Sequence, residues 1–370
     1  MRILGIESSA DETAAAIVED GYRLLSNVIN SQIDIHALYG GIVPEISARS
    51  HIEVINAVIN KALTDAGLTW DEIDAIAVTY APGLVGSLLI GSLAARTLAI
   101  LKNKPLYPTH HVEAHVYANF ITAQANGIDL ILPVKQPDFP MLALIVSGGH
   151  TQLVLFKDHG DFELLGQTQD DAIGEAFDKV AKILGLPYPG GPSIANAALG
   201  GDPSAYALPK AKMQGAYDFS FSGLKTAVLR AVQKEVGVDT TFPSHGLAEL
   251  LNDTQRANFA ASFQSLAIET LVDKAEAAFK HHSPASVVIA GGVASNKELR
   301  RQLTDRLSIP IEYAPISLCT DNAAMVGALG YFYAQDNKPV DPLDLEVVPS
   351  LSMTKTAWTQ SDIIGTVHNY

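Results

Sequence analysis

One short design occurs twice in this chain, and it limits the folds open to it. "RILGIESSADETAAAIV" at residues 2–18 and "ALIVSGGHTQLVLF" at residues 143–156 each run apolar, pass through a turn of small and polar residues, and resume with a threonine and a second apolar run. Each reads as a β-hairpin. The copies lie roughly 140 residues apart, which predicts two lobes built on related sheets. A chain of 370 residues also exceeds what one core usually organises. With 48% hydrophobic and 18% charged residues it has ample core and little scope for long disordered segments.

Between the hairpins, Ile52, Ile55, Ile59, Ala62 and Leu63 recur at helical spacing and Gly67 follows as a stop. "DAIAVTYAPG" reads as a buried strand ending in a turn. The apolar "LVGSLLIGSLAARTLAIL" after it carries Arg96 among Gly and Ser, and fits a buried helix better than a bilayer span. Alternating strand and helix predict an α/β lobe with a mostly parallel interior. The expected boundaries are a first lobe over 1–123, a proline-broken linker or insertion over 124–140, a second lobe over 141–337, and a tail over 338–370 with no clear period. "MRILGIESSADE" meets Glu7 and Asp11 before any long apolar run, so it reads as a mature start and not a secretory signal. A single cysteine, Cys319, excludes an internal disulfide and suits a reducing compartment.

The polar residues that interrupt these runs carry the chemistry. In "THHVEAHVYANF", a helix would place His111 and His115 on one face, one turn apart, with His110 pointing elsewhere. Such a pair can grip a cation, but with no third ligand in view it is more often incidental. Gly148 and Gly149 let turn N–H groups face an anion, with Ser147 and Thr151 as hydroxyl donors. The first turn offers Ser8, Ser9, Asp11 and Glu12, so the two hairpins together could hold a nucleotide phosphate or could be ordinary tight turns. In "AGGVASN", Gly291 and Gly292 would let a flat ring lie on the backbone, and Ser295 and Asn296 would cap the next helix. Asp178 sits in a helix with Asp170 and Asp171 at its start, followed by a Gly190–Gly191 turn; these bind a ribose or merely cap and turn.

Seven blocks, "GIESSADETAAAIV", "THHVEAH", "VSGGHTQL", "GEAFDKVAKILGLPYPGG", "FSFSGLKTAV", "AGGVASN" and "CTDNAAM", stand in this order over nearly the whole chain. In them the chain resembles the bacterial TsaD (Kae1/Gcp/YgjD) family of tRNA threonylcarbamoyladenosine synthases. The resemblance implies an α/β fold of two ribonuclease-H-like lobes, of the actin, sugar-kinase and Hsp70 (ASKHA) type, with the active site in the interlobe cleft. It implies transfer of the threonylcarbamoyl group from threonylcarbamoyl-AMP to N6 of adenosine 37, in tRNAs reading codons that begin with A, with release of AMP. It also implies one divalent metal per subunit, iron in the usual assignment and zinc the alternative, held by His111, His115 and Asp321. Substrate contacts carry over to Val146, Ser147, Gly148, Gly149 and His150, and to Asp178, Gly191 and Asn296. Asp11 and Glu12 are the nearest candidates to take the N6 proton. The implied partners are the tRNA anticodon loop, ATP-using TsaB and TsaE homologues, and a TsaC or Sua5 homologue that supplies the adenylate, in the cytoplasm and away from membranes. Departures are Ala10 where many members have Cys, Ala81 where many have Gly, and Ala195 where many have Asp, the last leaving one polar ligand contact unaccounted for.

Three rival readings fare worse. A zincin peptidase needs His-Glu-x-x-His, but Val112 holds the glutamate position and Glu113 falls about 200° around the helix from His111. A sugar kinase would share the fold without needing the His pair, and a scaffold would leave the acids and histidines unused. With 25 basic against 40 acidic residues and a net charge of −15, the chain repels a polyanion at long range. Binding tRNA then requires partner proteins or a local patch among Lys102 and Lys104, Lys210 and Lys212, Lys225, or Lys297, Arg300 and Arg301.

Overall fold

In the computed structural model, which describes residues 1–355, both hairpins form; residues 356–370 of the expected tail lie outside the described residues. β1 (Arg2–Glu7) pairs antiparallel with β2 (Glu12–Glu19), and β2 with β3 (Arg23–Ser31). Likewise β7 (Met141–Val146), β8 (Thr151–Asp158) and β9 (Asp161–Gln167) form an antiparallel meander. Each meander is then extended by two parallel strands. In the first half these are β4 (Ala75–Ala81) and β5 (Leu106–His110), with a two-residue β6 (Ala123–Gln124) on the far edge beside β3. In the second they are β10 (Ser286–Ala290) and β11 (Ile311–Tyr313). The orders β5-β4-β1-β2-β3-β6 and β11-β10-β7-β8-β9 are the same motif, apart from β6. The chain is two copies of one ribonuclease-H-like sheet, as the repeated hairpin predicts.

Helices cover both faces of the first sheet, which is why β4 is buried at every position. Leu4, Ile6, Ile17, Ile76 and Val78 pack against the helices Pro44–Ala66 and Val85–Lys102. Ile3, Ala16, Val18 and Ala77 on the other face meet the helix Ala323–Asp336, through a core continuous with the second half. That helix is rich in small residues because it lies directly on β1. A Cβ at Gly5 would fall 2.3 Å from the Ala323 carbonyl oxygen and 2.6 Å from the Gly327 nitrogen. The tail then returns along the first sheet: Val348 N–H donates to the Tyr80 carbonyl at 3.0 Å, and Gly83 N–H to that of Pro349 at 3.0 Å. Residues 125–140 hold no helix or strand and enter β7 through a cis Phe139–Pro140 bond.

Three local expectations need correcting. Ile52 does not join the core stripe; it is 58% exposed, and His51 takes the inward position, bonded to the Thr13 hydroxyl and the Ala10 carbonyl. The apolar helix Val85–Lys102 is not buried all round. It packs through Leu88 and a set of small residues (Ser87, Gly91, Ser92, Ala95, Ala99) and leaves Val85, Leu89 and Leu93 exposed in a row, while Arg96 donates to the carbonyls of Pro342 and Leu343. Asp170 and Asp171 do not cap the helix Ile173–Leu184. Its first N–H is taken by the Thr151 hydroxyl, while Asp170 accepts from the N–H groups of Phe221 and Ser222 and Asp171 pairs with Lys179 and Lys225.

Because the contact at Gly5 is with backbone that cannot rotate away, Gly5→Ala should cost about 1–3 kcal/mol of unfolding free energy, as overpacking does. Urea denaturation measures it; an unchanged midpoint would show that the helix yields without cost.

Candidate active site

The metal question turns on how three side chains meet. β5 runs straight into the helix His111–Tyr117, all of whose residues are buried. His111 and His115 lie one turn apart, with ring centroids 4.7 Å apart and planes at 75°. Asp321 arrives from the other half of the sequence, just before Asn322, which caps the helix Ala323–Asp336 by accepting from Met325 N–H. Asp321 Oδ1 is 3.6 Å from His111 Nε2 and 3.2 Å from His115 Nε2. One donor atom from each lies within 4.8 Å of the others, the one such grouping among the described residues.

The donors suit a cation. His115 is buried, its Nδ1 has no hydrogen-bond partner, and its Nε2 faces only the Asp321 carboxylate at 3.2 Å, where a metal could be shared between them. Two imidazoles and a carboxylate form an open site of the kind used by iron or zinc. Burial pushes His111 down, but Asp321 and then Glu7 outweigh it and raise it to about 9. A proton therefore competes with a cation at neutral pH. His110, the residue before the helix, turns its Nε2 to the Leu351 carbonyl. Glu113 also faces away, accepting from the Tyr333 hydroxyl at 2.5 Å, so it cannot serve as the glutamate of a zincin.

Asp11 and Glu12 line the same cleft of about 1480 Å³ as His111 and Asp321. They are an unequal pair. Burial first, then the charges of Asp321 and Asp11, push Glu12 up to about 10. Burial also raises Asp11, while its hydrogen bond with Glu12 acts the other way. One proton thus resides on Glu12 and is donated to the Asp11 carboxylate.

The opposite wall carries four glycines that open onto the cleft. A Cβ on Gly148, Gly149 or Gly191 would meet nothing within 4 Å, and one on Gly292 only Thr320 Cγ2 at 3.9 Å. All four line the cleft. Gly291 differs, since with φ +90° its Cβ would strike the Val146 carbonyl oxygen at 2.5 Å. Absence of a side chain at the open four serves the cavity and not the packing. Ser147, His150, Asp178 and Asn296 complete this wall, and Asp178 Oδ1 accepts from Gly190 N–H at 2.6 Å.

Other expected donors are engaged elsewhere. The Ser8 hydroxyl donates to Ser87 O and accepts from Gly91 N–H, so it ties the turn to a helix. Val146 and Thr151 are fully buried behind the wall. Ala195 lines the cleft without a polar group, with Asn196 beside it. The basic residues proposed as a tRNA patch are largely paired. Arg300 sits 3.9 Å over the Tyr313 ring and donates to Ala294 O, Arg301 is held by Glu298 and Asp305, and Lys210 by Asp273.

Two site residues escape the sequence reading. Glu7 ends β1 and reaches His111; a lone acid closing an apolar strand is the signal for it. Gln264, within the helix Asp253–His282, lines the cleft and accepts from Asn296 Nδ2 at 3.0 Å. Asn296 Oδ1 is already occupied by the N–H groups of Glu298 and Leu299, so one amide hydrogen of Asn296 remains for a ligand. Spacing along the sequence cannot reveal that pairing.

Residues 23–328 match the family profile of TsaD, tRNA N6-adenosine threonylcarbamoyltransferase. The chain is 48% identical over 354 residues to the protein of that name from Thermomicrobium roseum, covering 94% of this chain and 95% of the relative. To the one from Dehalococcoides mccartyi it is 47% identical, covering 96% and 100%. In fold it is similar to HypF from T. kodakarensis, with a TM-score of 0.56 at 12% identity, covering 90% of this chain and 48% of the other. A phosphate- and nucleotide-bound full-length HypF gives a TM-score of 0.53 at 13% identity, covering 90% and 46%.

With His111 raised to about 9, binding a cation must release its proton. Metal affinity should rise about tenfold per pH unit between pH 6 and 8. Competition with a chromophoric chelator reads this directly, and a flat profile would exclude His111 as a ligand. Since a side chain at Gly292 would project into open cleft, Gly292→Val should leave the thermal midpoint near wild type and weaken AMP binding about tenfold or more. Unaltered AMP binding by calorimetry would make this turn a structural one.

Proposed function

The chain belongs to the TsaD family of tRNA N6-adenosine threonylcarbamoyltransferases, transferases of ASKHA fold that modify tRNA, and from that premise we propose that its cleft moves the threonylcarbamoyl group from threonylcarbamoyl-AMP to N6 of adenosine 37. One observation carries the proposal: the His111–His115–Asp321 cluster, through His111 and Asp321, opens into the same cleft as the Asp11–Glu12 pair and the glycines of the opposite wall.

In this reading the adenylate phosphate lies over the Gly148–Gly149 turn, the ribose meets Asp178 by Gly191, and the adenine lies on Gly292 beside the free Asn296 N–H. His111, His115 and Asp321 would hold a divalent cation, iron or zinc, which supplies Lewis acidity toward the carbamoyl carbonyl. The N6 amine attacks the carbonyl carbon, a C–N bond forms, the C–O bond to phosphate breaks, and AMP leaves with the bonding pair. Asp11 takes the N6 proton, and Glu12, already protonated, donates to Asp11 and orients it. Burial first, then the neighbouring histidines, depress His150 to about 3, so it stays neutral beside a cation.

The tRNA comes with help. Lys210, Lys225 and Arg301 are paired with acids of the same surface, and the chain as a whole is acidic, so the anticodon loop is held on a surface completed by TsaB and TsaE homologues. A TsaC or Sua5 homologue supplies the adenylate. The exposed row Val85, Leu89 and Leu93 is an apolar face suited to a protein partner, and the setting is cytoplasmic.

The test is reconstitution: the chain with those partners, threonine, bicarbonate, ATP and unmodified tRNA, with the modified nucleoside detected by mass. Asp11→Asn should lower the rate about 10²–10⁴-fold, the usual worth of a positioned base. Glu12→Gln should lose much less than Glu12→Ala, because an amide reproduces a protonated acid. The rate should fall as pH drops through the raised Asp11 value, an acid limb above the ordinary aspartate range. An Asp11→Asn enzyme as fast as wild type would remove Asp11 from the mechanism.

A further inference from the structure

Glu7 is wholly buried at the end of β1, and its two oxygens collect three donors from three segments. Oε1 accepts from Ser9 N–H at 2.5 Å, and Oε2 accepts from the Thr79 hydroxyl at 2.6 Å and lies 3.2 Å from His111 Nδ1. The Ser9 hydroxyl stands 3.1 Å from the same ring nitrogen. A carboxylate in this setting only accepts, so Nδ1 of His111 must carry a hydrogen, and Nε2 is the nitrogen left to offer its lone pair to a cation. Nε2 is the nitrogen that faces Asp321. His115 has no such orienting partner on Nδ1, so the histidine pair is aimed through His111 alone.

We propose that Glu7 is a positioning residue of the metal centre, fixing His111 with its proton on Nδ1 and its lone pair directed at the point shared with His115 and Asp321. It acts through His111 and touches neither substrate nor cation. The inference rests on the reading of His111, His115 and Asp321 as a metal site. It assigns a role to a carboxylate that the transfer chemistry otherwise leaves unused and that burial would otherwise make a liability.

The experiment measures zinc and cobalt affinity of the purified full chain by chelator competition, with the cobalt absorption spectrum as a second readout. Wild type must bind; if it does not, the metal reading itself falls. Glu7→Gln should bind about 10–100-fold more weakly with an altered cobalt spectrum, the usual effect of losing an orienting partner. Either orientation of the new amide sets an N–H against Ser9 N–H or against His111 Nδ1–H. Thr79→Val removes another partner of the same oxygen but leaves His111 its acceptor, and should retain near-wild-type affinity. Wild-type affinity in Glu7→Gln, or equal losses in both variants, would overturn the assignment. Nitrogen-15 histidine spectra of the zinc-loaded wild type decide the matter without any variant. A proton on His111 Nδ1 with metal on Nε2 supports the proposal, and metal on Nδ1 refutes it.

Discussion

The close approach of the helix Ala323–Asp336 to β1 is the contact on which the rest depends. Gly5 admits the helix backbone to a distance no side chain would allow, and Gly330, whose Cβ would lie 2.4 Å from that of Ala77, continues the seam. This seam carries Asp321, at the mouth of the helix, across from the second half of the sequence to the histidines of the first. Without it the chain would have two sheets and two partial sites. With it, the metal cluster is assembled by packing, and its geometry is as stiff as the core beneath it.

Packing alone does not make that cluster tolerable. Glu7, Asp11, Glu12 and Asp321 bring four carboxyl groups to one end of the first sheet, in a setting where isolated charges are costly. The structure meets the cost in different ways. Glu7 is saturated with donors, Glu12 keeps its proton, and Asp321 is held well below the usual carboxylate range because His111 and His115 outweigh its burial. His115 is left with a buried, unpartnered Nδ1 and an Nε2 that faces only Asp321. A divalent cation would satisfy that residue and Asp321 together, so site and cation complete one another electrostatically.

Legibility in the sequence followed the range of the interaction. The two hairpins, the His111–His115 face and the Gly67 stop are set by periodicity and turn chemistry within a few residues, and they stand where expected. The fold class and the third ligand came from ordered blocks that resemble a family, since nothing in the spacing of "CTDNAAM" predicts that Asp321 meets His115. What failed was decided across the fold. Ile52 lost its place to a hydrogen-bonded His51, Asp170 caps a different helix from the one beside it, and the apolar run over 85–102 is half exposed because Leu88 and the small residues face inward while Leu89 and Leu93 do not. Arg300 looked like surface charge and is instead stacked on Tyr313. Polar residues choose partners by three-dimensional reach, and composition records only their presence.

The two halves differ at their first turns in a manner their common strand order would not suggest. The turn of the first hairpin is acidic and, through Ser8, is pinned to the helix behind it, while the equivalent turn of the second presents Gly148 and Gly149, whose missing side chains leave the cleft open. In the proposed mechanism, equivalent backbone serves proton transfer on one side and close approach of a ligand on the other. Asp321 complicates this division, since it belongs to the second half by sequence and to the first by packing. Lesions along the seam at Gly5, Ala323 and Gly327 will therefore displace Asp321 before they unfold either sheet, and they should look like defects of the metal centre even though none of these residues carries a reactive group. A seam of small residues is, in this chain, part of the active site.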